Sequence, residues 1–266
     1  MKKRSSKKKV IRRIILVLML GIIIVGSSYL YYKWKERRDG VDFYAQMTHE
    51  ALIVSVKVQD GEQEETNDTD DIEGTEDIEE EKMVVAPEIW SSYGENFRAW
   101  ISSPNTPINY PVMQGSNNTY YLNRLPDGTY NACGSIFMDY KNAPDLSDDN
   151  TILYGHYMQG DVMFGTLNYY RKSGYYNQHP YMYLSTDKES YRIEIFTGFL
   201  IDASDYLPMR FDVSEEKLEY MERMKQSSDF LSDVIPLQED RFVTLVTCNG
   251  SWETARYALI GRLVPM

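Results

Sequence analysis

The stretch from Arg241 to Val264, RFVTLVTCNGSWETARYALIGRLV, reads as two strands joined by a turn. Arg241 to Thr247 is the most hydrophobic strand candidate in the chain, Asn249-Gly250 is a turn signal, and Ala255 to Val264 resumes the β-type pattern. If the two runs pair as a hairpin, Arg256 must return close to Cys248, because the connecting segment is too short to carry it far. A cysteine meant only for packing belongs inside the Phe242 to Val246 run; at the strand end, Cys248 presents a thiol at a rim. Two other readings stay open at this point, a buried inert thiol and a disulfide with Cys133. Arg256 likewise has a plain alternative, a surface ion pair with Glu253.

Working outward, further short strands are expected at Trp100-Ile101, Ile108 to Met113, Gly134 to Tyr140, Thr151 to Tyr154, Tyr181 to Ser185 and Tyr191 to Ile201, separated by turn-rich segments such as Ser103-Pro-Asn-Thr-Pro107. Pro87 to Trp100 reads as a helix leading into the fold, and Asn118 to Leu122 as a helical turn. Residues 214–226 (SEEKLEYMERMKQ) make the clearest helix of the domain, with Ser214 as its N-cap and Leu218, Met221 and Met224 as one apolar stripe. Short strands with one late helix imply a mostly β barrel or sandwich.

The net charge of −12 over 266 residues is spread unevenly. Residues 1–13 carry eight Lys/Arg and no acid, whereas Ile14 to Tyr32 carries no charge at all. As a helix this uncharged run spans about 28 Å, close to a bilayer core of about 30 Å. The expectation is a basic cytoplasmic tail (1–13), a transmembrane signal anchor (14–32) and everything beyond outside the cell, as the excess of positive charge before the span dictates. A cleaved signal peptide is the competing reading, but Tyr29 to Tyr32 extends the apolar run with interface-type aromatics. Residues 33–58 are expected to form a juxtamembrane stalk, within which 41–58 reads equally as a short amphipathic helix. Residues 59–82 hold thirteen acids and one lysine and read as a disordered, self-repelling spacer. Residues 83–266 then form a single domain. The acidic balance argues against a nucleic-acid partner, and two cysteines cannot make a disulfide scaffold.

His156 follows the Thr151 to Tyr154 strand, next to a glycine that lets the backbone turn. Of three histidines it is the best placed acid/base partner for Cys248, although a lone histidine is more often structural. No two His or Cys residues have ligand spacing, so neither a metal nor a cofactor is expected.

With those residues in view the chain resembles the sortases, membrane-anchored cysteine transpeptidases of Gram-positive bacteria. The likeness rests on Thr244-Leu-Val-Thr-Cys248 followed by Arg256, with an upstream strand ending Tyr154-Gly155-His156, and covers about residues 85–266. Class B is favoured by the extra N-terminal helix, the stretch Asn118-Thr-Tyr-Tyr-Leu122, the run Gly134-Ser-Ile-Phe-Met-Asp139 and the 214–226 helix before the catalytic strand. The resemblance implies a closed β-barrel with an N-terminal helix. It implies Cys248 as nucleophile, His156 as acid/base and Arg256 as holder of the oxyanion, with Asn118, Leu122 and Thr247 binding substrate. It further implies cleavage of a C-terminal sorting signal, of an Asn-Pro type, on secreted proteins, and transfer to an amine of peptidoglycan or its lipid-linked precursor. A cysteine peptidase that only hydrolyses, and a membrane-tethered β module without activity, are the rival readings.

Overall fold

The computed structural model describes residues 3–50, 54–57, 81–84, 87–158, 160–248 and 254–266. In chain order the elements are α1 (Lys3–Glu50), β1 (Val54–Lys57), β2 (Glu81–Val84), α2 (Pro87–Ser92), β3 (Phe97–Ser102), β4 (Asn109–Met113), β5 (Ile136–Met138), β6 (Asn150–Gly155), α3 (Tyr175–Gln178), β7 (Tyr181–Ser185), β8 (Ser190–Asp202), α4 (Ser214–Gln226), β9 (Arg241–Cys248) and β10 (Ala255–Pro265). Strands β3 to β10 close a barrel in the order β10-β8-β7-β3-β4-β5-β6-β9, while β1 and β2 pair separately. Two neighbouring pairs, β4–β5 and β6–β9, are parallel, and the rest of the barrel is antiparallel.

Period-two alternation assigns each strand a face inside the barrel and a face outside. Along β9, Val243 and Leu245 enter the barrel core while Phe242 and Val246 pack on the outer side. Along β10, Tyr257, Leu259 and Leu263 point in, and Ala258 and Ile260 point out. Two apolar clusters cover the outside. One lies under α4, where Met221 meets Phe196, Phe199 and Ile201. The other gathers Met47 of α1, Ile89 of α2 and Trp100, Met113, Tyr121 and Phe137. The stretch of barrel surface between these two clusters holds the groove described below.

Four expectations need correction. The helix from Pro87 ends at Ser92, not Trp100, because Gly94 takes a left-handed conformation (φ +69°) and Phe97 to Ser102 then pairs with β4. Ser214 is the first residue of α4 rather than its cap; the cap position falls on extended Val213, and no side chain caps the helix. The short helical turn near Asn118 begins later, at Tyr121–Asn123. The segment 33–58, read as a stalk in which 41–58 could equally be a short separate helix, is one continuous helix through Glu50, so that α1 runs from the apolar run straight onto the barrel. Gly40, Tyr44 and Met47 are buried and Glu36, Arg37, Phe43 and Thr48 half-buried, a stripe at three- and four-residue spacing. Tyr44 Oη donates to Gly134 O at 2.6 Å, Asn131 Nδ2 to Glu36 O at 2.8 Å, and the Ala132 amide to Glu36 Oε1 at 3.2 Å. Of the acidic stretch 59–82, only Glu81 and Lys82 lie within the described residues, and both belong to β2, opposite Lys57 and Val56.

Ile14 to Tyr32 presents exposed apolar side chains along the helix, and among the described residues α1 is the one helix long and apolar enough to cross a bilayer. Cys133 is a free thiol, fully buried against α1, which removes the Cys133–Cys248 disulfide. Its Sγ lies 3.7 Å from Arg37 O, and burial raises its pKa, with Arg37 acting the other way.

Close contact at Gly40 is what lets α1 dock, since a Cβ there would sit 2.7 Å from Cys133 Sγ and 2.8 Å from Asn131 Oδ1. Gly40→Val is therefore expected to loosen the helix, the overpacking cost of about 1–3 kcal/mol outweighing the helix-propensity gain. In a Cys248→Ser background, Cys133 should then react with an aromatic disulfide reagent many times faster; unchanged reactivity would contradict the docking. At the far end of the barrel, Glu194 accepts from Arg262 Nε at 2.6 Å and Arg192 Nη2 at 2.8 Å. Burial alone would raise its pKa, but the two guanidinium partners outweigh that and hold it below the usual range. Its stabilisation is present above the ordinary carboxylate value of about 4.3 and is lost as pH falls through the lowered folded value. Glu194→Gln should cost about 1–3 kcal/mol in denaturant unfolding at neutral pH and progressively less as the pH is lowered into the acid range, and a loss independent of pH would refute the assignment.

Candidate active site

Three adjacent strand ends meet at one end of the barrel. Gly155, the last residue of β6, is the ladder partner of Thr247 in the parallel β6–β9 pair. The next residue on each strand is therefore His156 beside Cys248, on backbones about 4.8 Å apart. On the other side of β9, Arg256 stands directly opposite Cys248 in the β9–β10 ladder, and Ile201 of β8 stands opposite Arg256. The order across the sheet is histidine, cysteine, arginine. The turn 249–253, with the proposed Arg256 partner Glu253, lies outside the described residues.

A groove of about 380 Å³ opens at this place. Its floor is the outer face of the barrel, formed by Phe137, Tyr154, Val246 and Ile201, and His156, Thr247 and Arg256 line its end. One wall carries Asn118 and Leu122, and the other is the chain leaving β8, Asp202 to Leu207. The floor is apolar and the end polar, the usual composition of a pocket that seats an extended ligand and does chemistry at one point.

His156, Arg256 and Asn118 at the groove are each held by an identifiable partner. His156 Nε2 lies 2.7 Å from Leu122 O. A carbonyl only accepts, so Nε2 carries a proton and the neutral ring has Nδ1 as its basic nitrogen. Gly134 makes room for that carbonyl: its φ is +59°, and a Cβ there would run into the carbonyl oxygens of Leu122 and Tyr121. Arg256, half-buried, donates from Nη1 to Ala255 O at 3.0 Å. Thr247 is buried, and its Oγ1 has no hydrogen-bond partner among the described residues.

Asn118 is engaged at both ends of its amide. Nδ2 donates to Asp139 Oδ2 at 2.7 Å and Oδ1 accepts from the Tyr140 amide at 3.0 Å. The same Asp139 oxygen accepts from Tyr154 Oη at 3.1 Å. Burial, and then the Asp139 carboxylate, push the Tyr154 phenol well above its ordinary pKa, so Tyr154 stays a neutral donor. Asp139 and the Leu122 carbonyl are the contributors that the sequence did not announce. Asp139 ends the Gly134 to Asp139 run, and a buried carboxylate closing an apolar strand is a sign of a polar network. A backbone carbonyl leaves no mark in sequence.

The sortase-domain family profile matches residues 101–264. Sortase B of Staphylococcus aureus is 31% identical over 168 residues, covering 62% of this chain and 69% of that protein. Sortase B of Listeria monocytogenes is 32% identical over 168 residues, covering 62% and 68%. The crystal structure of Clostridium perfringens sortase B superposes with a TM-score of 0.63 at 28% identity, over 67% of this chain and all of that one. A closed eight-stranded barrel, a groove across its outer face and these likenesses agree, and the chain belongs to the sortase family of cysteine transpeptidases, in its class B branch.

Proposed function

We propose that this protein attaches secreted proteins to the cell wall through a thioacyl intermediate on Cys248. The observation that carries the reading is the placement of positions 156, 248 and 256 on three consecutive strand ends at the polar end of one groove. The Cys248 thiol gives its proton to His156 Nδ1, and its sulfur attacks the carbonyl carbon of the scissile peptide bond in a C-terminal sorting signal. As the tetrahedral intermediate collapses, the C–N bond breaks, and His156 delivers a proton from Nδ1 to the departing amine. An amine of peptidoglycan, or of its lipid-linked precursor, then attacks the thioester and gives its proton back to Nδ1, and the thiolate leaves. An imidazole suits both proton steps near neutral pH. The Leu122 carbonyl keeps the ring in the tautomer that this sequence of transfers requires.

Arg256 supports the reading by its place directly across the ladder from Cys248. A guanidinium there favours the thiolate and offers paired donors to the oxyanion of each tetrahedral intermediate, which a compact ammonium reproduces poorly. Thr247 lies at the end of the groove, where its strand backbone would meet the substrate; its side chain shares the inward face of the barrel with its ladder partner Tyr257. Asn118, tied to Asp139 and Tyr140, would shape the wall, and Leu122 would contribute apolar contact.

The apolar run of α1 would hold the domain at the cell membrane in a single pass. The eight basic residues of 1–13 would keep the N-terminus in the cytoplasm, placing the catalytic domain outside.

The test is a partition experiment. With a panel of Asn-Pro sorting peptides and an amine acceptor, the wild-type chain should yield the amide-linked product, and Cys248→Ala should yield neither that product nor the free acid while unfolding at the same temperature. Cleavage by Cys248→Ala at the wild-type rate would overturn the mechanism, and free acid alone from the wild type would turn the reading into hydrolysis. Thr247→Val removes an unpaired buried hydroxyl without changing volume, so it should leave stability unchanged or slightly raised. Because the Thr247 backbone and not its hydroxyl meets the groove, KM for the peptide should change by less than about twofold. A KM raised about tenfold would put the hydroxyl among the substrate contacts.

A further inference from the structure

Helix α1 carries a constraint that goes beyond anchoring. Its uncharged run ends at Tyr32, and the first residue bonded to the barrel is Glu36, through Asn131 and Ala132. Four residues of helix rise only about 6 Å. The headgroup layer on each side of a bilayer is itself about 5–7 Å thick. No length of free chain separates the membrane from the domain, and the barrel surface that meets Glu36 lies at the depth of the lipid headgroups.

That surface belongs to the catalytic end. Asn131 sits in the loop that follows Leu122, whose carbonyl holds His156. Arg37 Nη2 approaches Gly160, in the loop that follows His156 itself. These two loops carry Tyr130 and Tyr157, and Tyr120 lies just before Leu122; the three are 65%, 46% and 42% exposed. Arg124 lies over the Tyr120 ring at 4.8 Å. Amphipathic aromatics with a neighbouring cation are what a headgroup layer favours, and Tyr31, Tyr32 and Trp34 are exposed on α1 in the two turns before Glu36.

We infer that the loops bearing Tyr120, Tyr130 and Tyr157 rest in the headgroup layer of the bilayer crossed by α1, so that the catalytic groove opens at the membrane surface. The inference depends on the anchor reading of α1 and adds to it a fixed depth for the active site.

The experiment uses the full chain with Cys133→Ala and Cys248→Ser, reconstituted in phosphatidylcholine/phosphatidylglycerol vesicles containing a spin-labelled lipid quencher. One fluorescent thiol label is placed in turn through Tyr130→Cys, Tyr157→Cys, Lys188→Cys and Ile22→Cys. Lys188 is exposed on the turn joining β7 and β8, at the opposite end of the barrel, and Ile22 lies in the apolar run. Labels at 130 and 157 should be quenched several-fold more than the label at 188, with 22 quenched most strongly. Quenching at both 130 and 157 no greater than at 188, with 22 still quenched, overturns the inference and leaves the anchor intact. An unquenched label at 22 overturns the anchor reading, and the inference falls with it.

Discussion

The parallel pairing of β6 with β9 is the constraint on which the rest of the groove depends. Six ladder partners, from Asn150↔Phe242 to Gly155↔Thr247, set the register of two strands whose ends carry the histidine and the cysteine. A slip of one residue would turn Val243 and Leu245 out of the barrel core and Phe242 and Val246 into it, reversing two apolar faces at once. Core burial thus enforces catalytic register, and the chemistry needs no separate device to align His156 with Cys248. The β9–β10 hairpin extends the same logic to Arg256.

Parallel neighbours cannot be joined by a tight turn, and the connection between β6 and β9 is correspondingly long. It contains α3, β7, β8 and α4, and so adds two of the eight barrel strands before returning to close the barrel. The chain leaving β8 forms one groove wall on the way. The opposite wall comes from the loop before β5, held in place by Asp139 and by the close approach of Gly134 to the Leu122 carbonyl. Both walls therefore follow from connections that the parallel pairs impose.

Docking of α1 adds a second level of order. The helix reaches Asn131, Cys133 and Tyr110, residues that surround the His156 end of the barrel, through a stripe in which Gly40 allows close contact and Tyr44 makes a buried hydrogen bond. Burial keeps the Tyr44 phenol neutral and donating, its pKa raised well above the ordinary value. Helix α1 and the His156 end of the barrel are packed as one body.

Strand positions, the α4 helix, the apolar run of α1 and the strand-end placement of Cys248, His156 and Arg256 were all legible in the sequence. Each is a local pattern: period two, period 3.6, an uncharged run of bilayer length, or a polar residue closing an apolar strand. Such patterns survive without knowledge of what packs against them. The sequence left 41–58 undecided between a helix and a stalk, because the short stripe Gly40, Tyr44 and Met47 takes on a buried face only against the barrel. The misplaced end of the 87–100 helix has the same origin, since pairing with β4 draws Phe97 to Ser102 into the sheet. The Leu122 carbonyl on His156, the Asp139 network and the burial of Cys133 join residues tens of positions apart, and contacts of that range exist only once the barrel has closed.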